Sequence, residues 1–164
     1  MSHRCIIFAS YKTYRNMKIA FVKMNKDAKT PTVATDGSAA YDLFADVSKE
    51  LPKGRSVIPT GIAIELPRGY VADVRPRSGY SLKGFCDAQE VRHDCDVLLG
   101  TIDSDYRGEI NVIVNNHDTP FSIAKGQRIA QLLIHRYENV EFCEVDAFGS
   151  VTQRGNNGFG STGN

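Results

Sequence analysis

A polar segment between two apolar stretches contains the residues best suited to chemistry. Residues 103–108, DSDYRG, hold two carboxylates, a tyrosine and an arginine, and they end in glycine. Residues 97–102 form an apolar, β-branched run and residues 110–114 largely alternate, so a strand is predicted on each side. This pattern predicts a β-hairpin whose mouth could position a general base, because both strands would restrain the loop. From this segment alone, a solvated hairpin tip is the alternative.

A second segment has the composition of an anion site. Residues 75–79, RPRSG, bring two guanidinium groups, a hydroxyl and a glycine to the predicted end of a strand. Such side chains, together with the free backbone N–H groups of a turn, bind phosphate oxygens well. A type I turn with surface arginines is the alternative.

The glycine-rich segment 154–163, RGNNGFGSTG, allows three interpretations. One is a tail without fixed structure. The second is a dinucleotide-binding fingerprint, which we reject because no βαβ pattern precedes it and no helix can follow it in this sequence. The third is a mobile lid, in which Arg154 meets a phosphate, Phe159 stacks on a flat ring and the glycines let the backbone approach closely.

Short strands separated by Gly and Pro turns must position these segments. Residues 127–136, QRIAQLLIHR, have some helical propensity, but they lack a good N-cap and are rich in Ile and Leu, so a strand is favoured. The pattern predicts an all-β barrel or sandwich. Further predicted strands cover residues 18–23, 39–45, 62–66, 70–75, 121–123 and 140–145.

Composition limits the kinds of partner. The chain has 164 residues, 41% of them hydrophobic, which suits one domain with a real core. Its formal net charge of +1 gives no general attraction to nucleic acid or to membranes. No apolar run approaches the roughly 20 residues that span a bilayer. Residues 1–16 are predicted to be an extension, either because Met17 is the functional start or because 1–16 form a loose arm. The four cysteines are predicted to be free thiols of a cytosolic protein.

Five segments stand in an order that is specific when they are taken together. They resemble the five motifs of the homotrimeric dUTPases, the dUTP nucleotidohydrolases, and the resemblance covers residues 17–164. The five segments are residues 37–45, 75–84, 100–116, 125–134 and 154–163.

The resemblance implies a fold, an assembly and a reaction. The expected fold is all-β, a distorted jelly roll or β-clip barrel, with one domain at 17–150, an N-terminal extension at 1–16 and a mobile C-terminal lid at 151–164. The expected assembly is a homotrimer whose active sites are shared between subunits. The expected reaction converts dUTP to dUMP and pyrophosphate with Mg²⁺, which limits uracil in DNA and supplies dUMP for thymidylate synthesis. A cytoplasmic enzyme without membrane or direct nucleic-acid binding is implied.

The resemblance also assigns roles around the base and the sugar. Asp103 is expected to activate the attacking water. Tyr106 is expected to lie against the deoxyribose and to leave no room for a 2′-hydroxyl. Backbone near residues 97–110 is expected to read the uracil edge.

Phosphate and metal contacts are assigned in the same way. Gln131 is expected to contact a phosphate or a metal-bound water. Asp42 is expected to lie near Mg²⁺, through water, or to support the phosphate-binding arginine. The residues expected to bind phosphate are Arg77, Ser78 and Gly79 of the second motif.

The tail is expected to complete the site around the bound nucleotide. Arg154 would hold the terminal phosphate and Phe159 would stack on uracil. Gly160 and Ser161 are the remaining expected contacts.

The chain departs from the family pattern in three places. Ala40 and Asn157 stand where glycine is usual. Residues 85–96, FCDAQEVRHDCD, form a longer connection than is common between the second and third motifs. We expect them to be an acidic, solvated loop at the trimer surface; a zinc site is the disfavoured alternative because the spacing matches no standard finger.

Two other functions remain open. A dCTP deaminase shares the fold, and a nucleotide-sensing regulatory protein could use the same scaffold. The arrangement at residues 103–106 favours hydrolysis over deamination. Retention of Asp103, Tyr106, Arg154 and Phe159 argues against a binder without catalytic activity, and a second, regulatory role stays open.

Overall fold

The computed structural model describes residues 17–156 and contains almost no helix. The alternation of β-branched and polar residues produces the strands, and Gly or Pro turns separate most of them. In chain order the elements are β1 (Ala20–Lys23), β2 (Ala40–Phe44), β3 (Lys49–Leu51), β4 (Gly54–Pro59), β5 (Ile62–Glu65), β6 (Tyr70–Arg75), α1 (Ser78–Lys83), β7 (Phe85–Cys86), β8 (Arg92–His93), β9 (Cys95–Val97), β10 (Gly100–Ile102), β11 (Asn111–Asn116), β12 (Phe121–Ile123) and β13 (Arg128–Arg136).

Two sheets dominate the architecture, and every named strand pair is antiparallel. One sheet has the order β10-β6-β13-β2 and the other the order β4-β11-β9. Three further pairs, β1–β5, β12–β3 and β7–β8, extend the structure. The all-β prediction is confirmed. Among the described residues, no helix is long and apolar enough to cross a bilayer.

The core lies behind the inward faces of these sheets. On β11, Val112 and Val114 are fully buried while Ile113 between them is exposed, as the two-residue period of a strand requires. Ile58 of β4 pairs with Val112, and Leu132 of β13 pairs with Val74 of β6, so buried apolar side chains meet in register.

A change of sheet at residues 98–99 corrects the predicted hairpin. β9 pairs with β11, as Val97 does with Val114, but β10 pairs with β6. Leu98 still donates its N–H to Ile113 O, and Leu99 is exposed at the crossing point. The prediction that residues 97–102 and 110–114 form one simple hairpin is therefore wrong. Period-two patterning identifies strands, but it does not say which sheet each half joins.

The strand prediction for residues 127–136 is confirmed, and the one for 140–145 is wrong. β13 pairs with β2 on one side and with β6 on the other, so pairing on both edges overrides its helical propensity. Within the described chain, residues 137–156 form no strand or helix. Val140 and Phe142 are largely exposed, since no partner strand pairs with this segment.

The helix α1 was not predicted. It follows Arg77, which occupies the N-cap position without a side-chain cap, and its first turn contains no acidic residue. A capping side chain and acidic residues in the first turn are the sequence signals that indicate the start of a helix. Because both are missing here, the sequence did not predict α1. Burial of Tyr80 against the core holds the helix in place.

Asp73 and Arg75 of β6 and His135 of β13 form an ion cluster that links the two strands. The Asp73 carboxylate accepts hydrogen bonds from Arg75 Nη2 at 2.7 Å and from His135 Nε2 at 3.1 Å. Burial by itself raises the pKa of Asp73, but the hydrogen bonds and positive charges of Arg75 and His135 outweigh it, so the pKa lies below its usual range. The charged form of Asp73 therefore stabilises the folded state.

We expect Asp73→Asn to destabilise the protein in a pH-dependent way. Because the folded-state pKa is lowered, the stabilisation is complete above the unfolded pKa of about 4 and is lost as the pH falls through the folded value. Urea unfolding midpoints should therefore differ between wild type and variant at about pH 6, and the difference should shrink steadily as the pH falls below about 4. Asp36→Asn, at an exposed carboxylate, should change little at either pH. An equal difference at both pH values would contradict the electrostatic role of Asp73.

Candidate active site

Three polar residues stand side by side across the four-stranded sheet. Gln131 of β13 pairs with Asp42 of β2 on one side and with Arg75 of β6 on the other. Directly paired residues of antiparallel strands point to the same face of the sheet. A carboxylate, an amide and a guanidinium therefore form one row at the end where β6 leads to Arg77.

Asp42 is the electrostatic centre of this region. Its side chain is only 12% exposed, and its Oδ1 accepts a hydrogen bond from Arg77 Nε at 3.1 Å. Its Oδ2 lies 3.4 Å from Arg128 Nη1. A carboxylate this buried needs opposite charge nearby, and the two guanidinium groups supply it. Asp42 thereby sets the orientation of Arg77.

Two further contacts restrain the same arginine. The guanidinium of Arg77 lies over the ring of Tyr80, 5.5 Å from its centroid, and the Tyr80 hydroxyl donates to Arg128 O. Gln131 Nε2 donates to Pro76 O at 2.8 Å, which ties β13 to the residue before Arg77. A hydrogen bond to the neighbouring backbone and a cation–π contact together restrict the side chain to one direction.

A cavity of about 560 Å³ lies in front of this cluster. Five residues predicted from the sequence line it, so the structure brings them together although they come from three motifs. They are Asp42, Arg77, Ser78, Gly79 and Gln131. Such a concave site with convergent polar groups suits a small anionic ligand.

Sequence reasoning missed three residues of this region. Arg128 was overlooked although it stands three positions before Gln131, because its contact with Asp42 depends on the sheet. Tyr80 and Arg92 line the cavity, and no sequence signal pointed to either. Arg92 comes from the segment that was predicted to be a solvated loop.

Segment 85–96 contains short strands at both ends, so the prediction of a loop throughout is wrong, but residues 88–92, 94 and 96 are exposed, as expected of a solvated segment. Strands β7 and β8 make it a hairpin, and Cys95 belongs to β9. His93 is mostly buried and is hydrogen-bonded to Asp87. Desolvation and the neighbouring carboxylates Asp94 and Asp96 raise the pKa of the Cys95 thiol to about 12, which leaves it protonated and unreactive.

Asp103 and Tyr106 do not join the cavity within one chain. Asp103 follows Ile102 of β10, and Ile102 pairs with Ala72 near the start of β6. Arg75, at the other end of β6, is three residues farther along, which is about 10 Å of strand. Both Asp103 and Tyr106 are exposed. The predicted water-activating group and the predicted phosphate site therefore lie at opposite ends of one strand.

The loop that carries Asp103 is held in one conformation. The Tyr106 hydroxyl donates to Glu109 O at 3.1 Å, and its ring lies against Gly108. A Cβ at Gly108 would come within 2.3 Å of the Tyr106 hydroxyl, so only glycine permits this contact. Arg107 donates to Ser104 O at 2.7 Å and closes the loop. These contacts restrain the backbone of the loop that carries Asp103.

The tail can be followed only in part. Arg154 is exposed, and the turn around it is closed by Gly155 N donating to Thr152 O. The predicted contacts Phe159, Gly160 and Ser161 lie outside the described residues. The lid therefore stays a prediction.

The described donor atoms around the cavity do not form a metal-ligand cluster. Within residues 17–156, no group of three or more His, Cys, Asp or Glu side chains is arranged to hold a metal ion. Both carboxylate oxygens of Asp42 are engaged by arginines. This geometry fits support of Arg77, the predicted phosphate-binding arginine, better than direct metal ligation, so a contact through water is the form in which Asp42 would fit Mg²⁺.

Comparison with known proteins gives the family. The dUTPase family model matches residues 26–163. A deoxyuridine 5′-triphosphate nucleotidohydrolase of Wolinella succinogenes is 43% identical over 153 residues, covering 91% of this chain and 96% of the relative. The enzyme of the same name from Finegoldia magna is 39% identical over 153 residues, covering 90% of this chain and 99% of the relative.

Solved structures agree with the fold. The Staphylococcus bacteriophage 80alpha dUTPase with dUPNHPP is 28% identical and has a TM-score of 0.80, with 90% of this chain and 99% of that chain covered. Together with the antiparallel sheets, this match confirms the predicted distorted jelly roll. The order of the five motifs, the family match and both relatives lead to one conclusion: the chain belongs to the dUTPase family.

Proposed function

We propose that this protein hydrolyses dUTP to dUMP and pyrophosphate. The observation that carries the proposal is the cavity of about 560 Å³ in which Asp42 orients Arg77 beside Ser78, Gly79 and Gln131. The relatives named deoxyuridine 5′-triphosphate nucleotidohydrolase and the phage dUTPase solved with dUPNHPP support dUTP as the substrate.

The phosphate chain binds at this cavity in the proposal. Arg77 is anchored to Asp42 through Nε, so its Nη nitrogens are the donors directed to phosphate oxygens. Ser78 and Gly79 add a hydroxyl and backbone N–H groups, and Gln131 adds an amide. Bound Mg²⁺, held mainly by phosphate oxygens and water with Asp42 in contact through water, would neutralise phosphate charge.

Water is activated by Asp103. The carboxylate accepts a proton from the water while the water oxygen attacks the α-phosphorus. Pyrophosphate leaves with the electron pair of the broken P–O bond. The Tyr106 ring supports the deoxyribose and excludes a 2′-hydroxyl. Backbone near residues 97–110 pairs with uracil and leaves no room for the methyl group of thymine.

A homotrimer completes the site. Asp103 and Arg77 lie at opposite ends of β6, so one chain does not bring the attacking water to the phosphates. The segment after β13 also exposes apolar side chains, with Phe142 96% and Phe148 92% exposed, which a neighbouring subunit can cover. In the assembled enzyme, residues 151–164 close over the nucleotide, with Arg154 at the terminal phosphate and Phe159, Gly160 and Ser161 around uracil.

The cellular role follows from the reaction. Removing dUTP limits uracil in DNA, and dUMP is the precursor for thymidylate synthesis. We place the enzyme in the cytoplasm, without membrane attachment and without direct contact to nucleic acid.

Substrate selectivity tests the proposal most directly. With Mg²⁺, dUTP should yield pyrophosphate, and kcat/KM for UTP, dTTP and dCTP should be lower by at least about 100-fold. Pyrophosphate and ammonia are measured in the same reactions. Ammonia from dCTP would show a deaminase, and binding of dUTP without any turnover would favour a regulatory protein.

Replacing Asp103 tests the assigned base. Asp103→Asn should lower kcat by about 1,000-fold while the dissociation constant for dUTP changes little, because the amide accepts no proton from water. Asp105→Asn in the same loop is the matched control and should retain most activity. Near-wild-type kcat in Asp103→Asn would place the base elsewhere.

Mixing two inactive variants tests the shared site. Asp103→Asn and Arg77→Ala subunits, unfolded and refolded together in equal amounts, should recover about a quarter of wild-type turnover, because each mixed trimer contains one site with both residues intact. Each variant refolded alone is the control. If mass spectrometry finds mixed trimers but turnover does not recover, both residues act within one chain.

A further inference from the structure

Hydrogen bonds of the Asp87 side chain stabilise the hairpin formed by β7 and β8. Asp87 accepts hydrogen bonds from the N–H groups of Gln89 and Val91, both at 2.8 Å, and its second oxygen lies 2.9 Å from His93 Nε2. The His93 ring stacks on Phe121, with 4.1 Å between centroids and an interplanar angle of 7°. Residues between β7 and β8 are thus held by their own contacts and by the core.

The same hairpin packs closely on the end of α1. Gly84 has φ of +80°, and a Cβ there would come within 2.3 Å of His93 O, so the two backbones approach as only glycine allows. Arg92 Nη1 donates to Gly84 O at 3.1 Å. This close packing brings the Arg92 side chain against the C-terminal end of α1, at Gly84.

Arg92 and Arg77 converge on one aromatic ring. Their guanidinium carbons lie 5.9 Å and 5.5 Å from the ring centroid of Tyr80. Arg92 lines the cavity of about 560 Å³ and also the adjoining cavity of about 550 Å³. It therefore stands in the wall between the proposed phosphate site and the neighbouring groove.

Among the described basic residues that line the two cavities, Arg92 is the one whose charge is not compensated by a carboxylate. Arg77 and Arg128 share the Asp42 carboxylate, and Lys125 lies 3.2 Å from Asp46 Oδ1. Among residues 17–156, Arg92 forms no ion pair and donates only to a neutral carbonyl. The acidic Glu90 of the same hairpin lines only the neighbouring groove. An unneutralised guanidinium at the edge of an anion site attracts phosphate.

We infer that Arg92 binds the phosphate chain of the nucleotide substrate, as an additional residue contributed by the connection between the second and third motifs. The inference rests on the proposed dUTP hydrolysis. It gives the longer connection a function: the hairpin carries a second guanidinium to the cavity beside Arg77. Arg92 acts in binding, since it lies on the phosphate side and not beside Asp103.

Arg92→Gln is the direct test, with steady-state kinetics on dUTP. We expect KM to rise about ten-fold with little change in kcat, the size of one charge-assisted contact, and the inhibition constant of pyrophosphate to rise by a similar factor. Arg55→Gln, which removes an equal charge from β4 of the other sheet, is the matched control and should change neither constant. Unchanged KM and pyrophosphate inhibition in Arg92→Gln, with the wild type active, would overturn the inference.

Two further measurements separate binding from support of the hairpin. Arg92→Lys, which keeps the charge, should recover part of the loss, and the KM difference between Arg92→Gln and wild type should narrow as salt is raised. A purely structural role predicts a salt-independent difference with a lower melting temperature, which would overturn the inference. If the wild type does not hydrolyse dUTP, the proposed function fails, and calorimetry of pyrophosphate binding to wild type and Arg92→Gln still decides the role of Arg92.

Discussion

The ion pairs of Asp42 are the constraint on which the candidate site depends. A carboxylate that is 12% exposed must be compensated, and Arg77 and Arg128 reach it from two different segments of the chain. Loss of the carboxylate would leave two guanidinium groups close together without a counter-charge. The two ion pairs therefore link β2, β13 and the start of α1, and the one with Arg77 orients this side chain at the cavity.

The extended strand β6 keeps two of the predicted site residues apart, whereas the ion pairs of Asp42 bring others together. Antiparallel pairing with β10 and β13 keeps β6 extended, so Asp103 near its start and Arg77 beyond its end stay apart. In the proposed mechanism, assembly of several copies unites the two groups, and the exposed Phe142 and Phe148 after β13 are apolar surface that such an assembly could cover.

The connection at residues 85–96 shows how an apparent departure from a family pattern can join the site. Its acidic composition suggested a solvated loop. In the structure, Asp87 is consumed by hydrogen bonds within the hairpin and His93 packs on Phe121, so the acidic character does not face the cavity. What faces the cavity is Arg92, whose sequence neighbours gave no indication of its direction.

The sequence by itself determined the all-β class, most strands and the residue types of the site, because two-residue alternation, turn residues and the order of the motifs are local properties of the chain. The tertiary structure alone decided which strands pair. Residues 140–145 alternate but have no partner strand, and residues 97–102 divide between two sheets. It also decided which charges are neutralised, since Asp42 meets Arg77 and Arg128, which are 35 and 86 residues away in sequence. Local patterns carry no information about such contacts; packing and register create them.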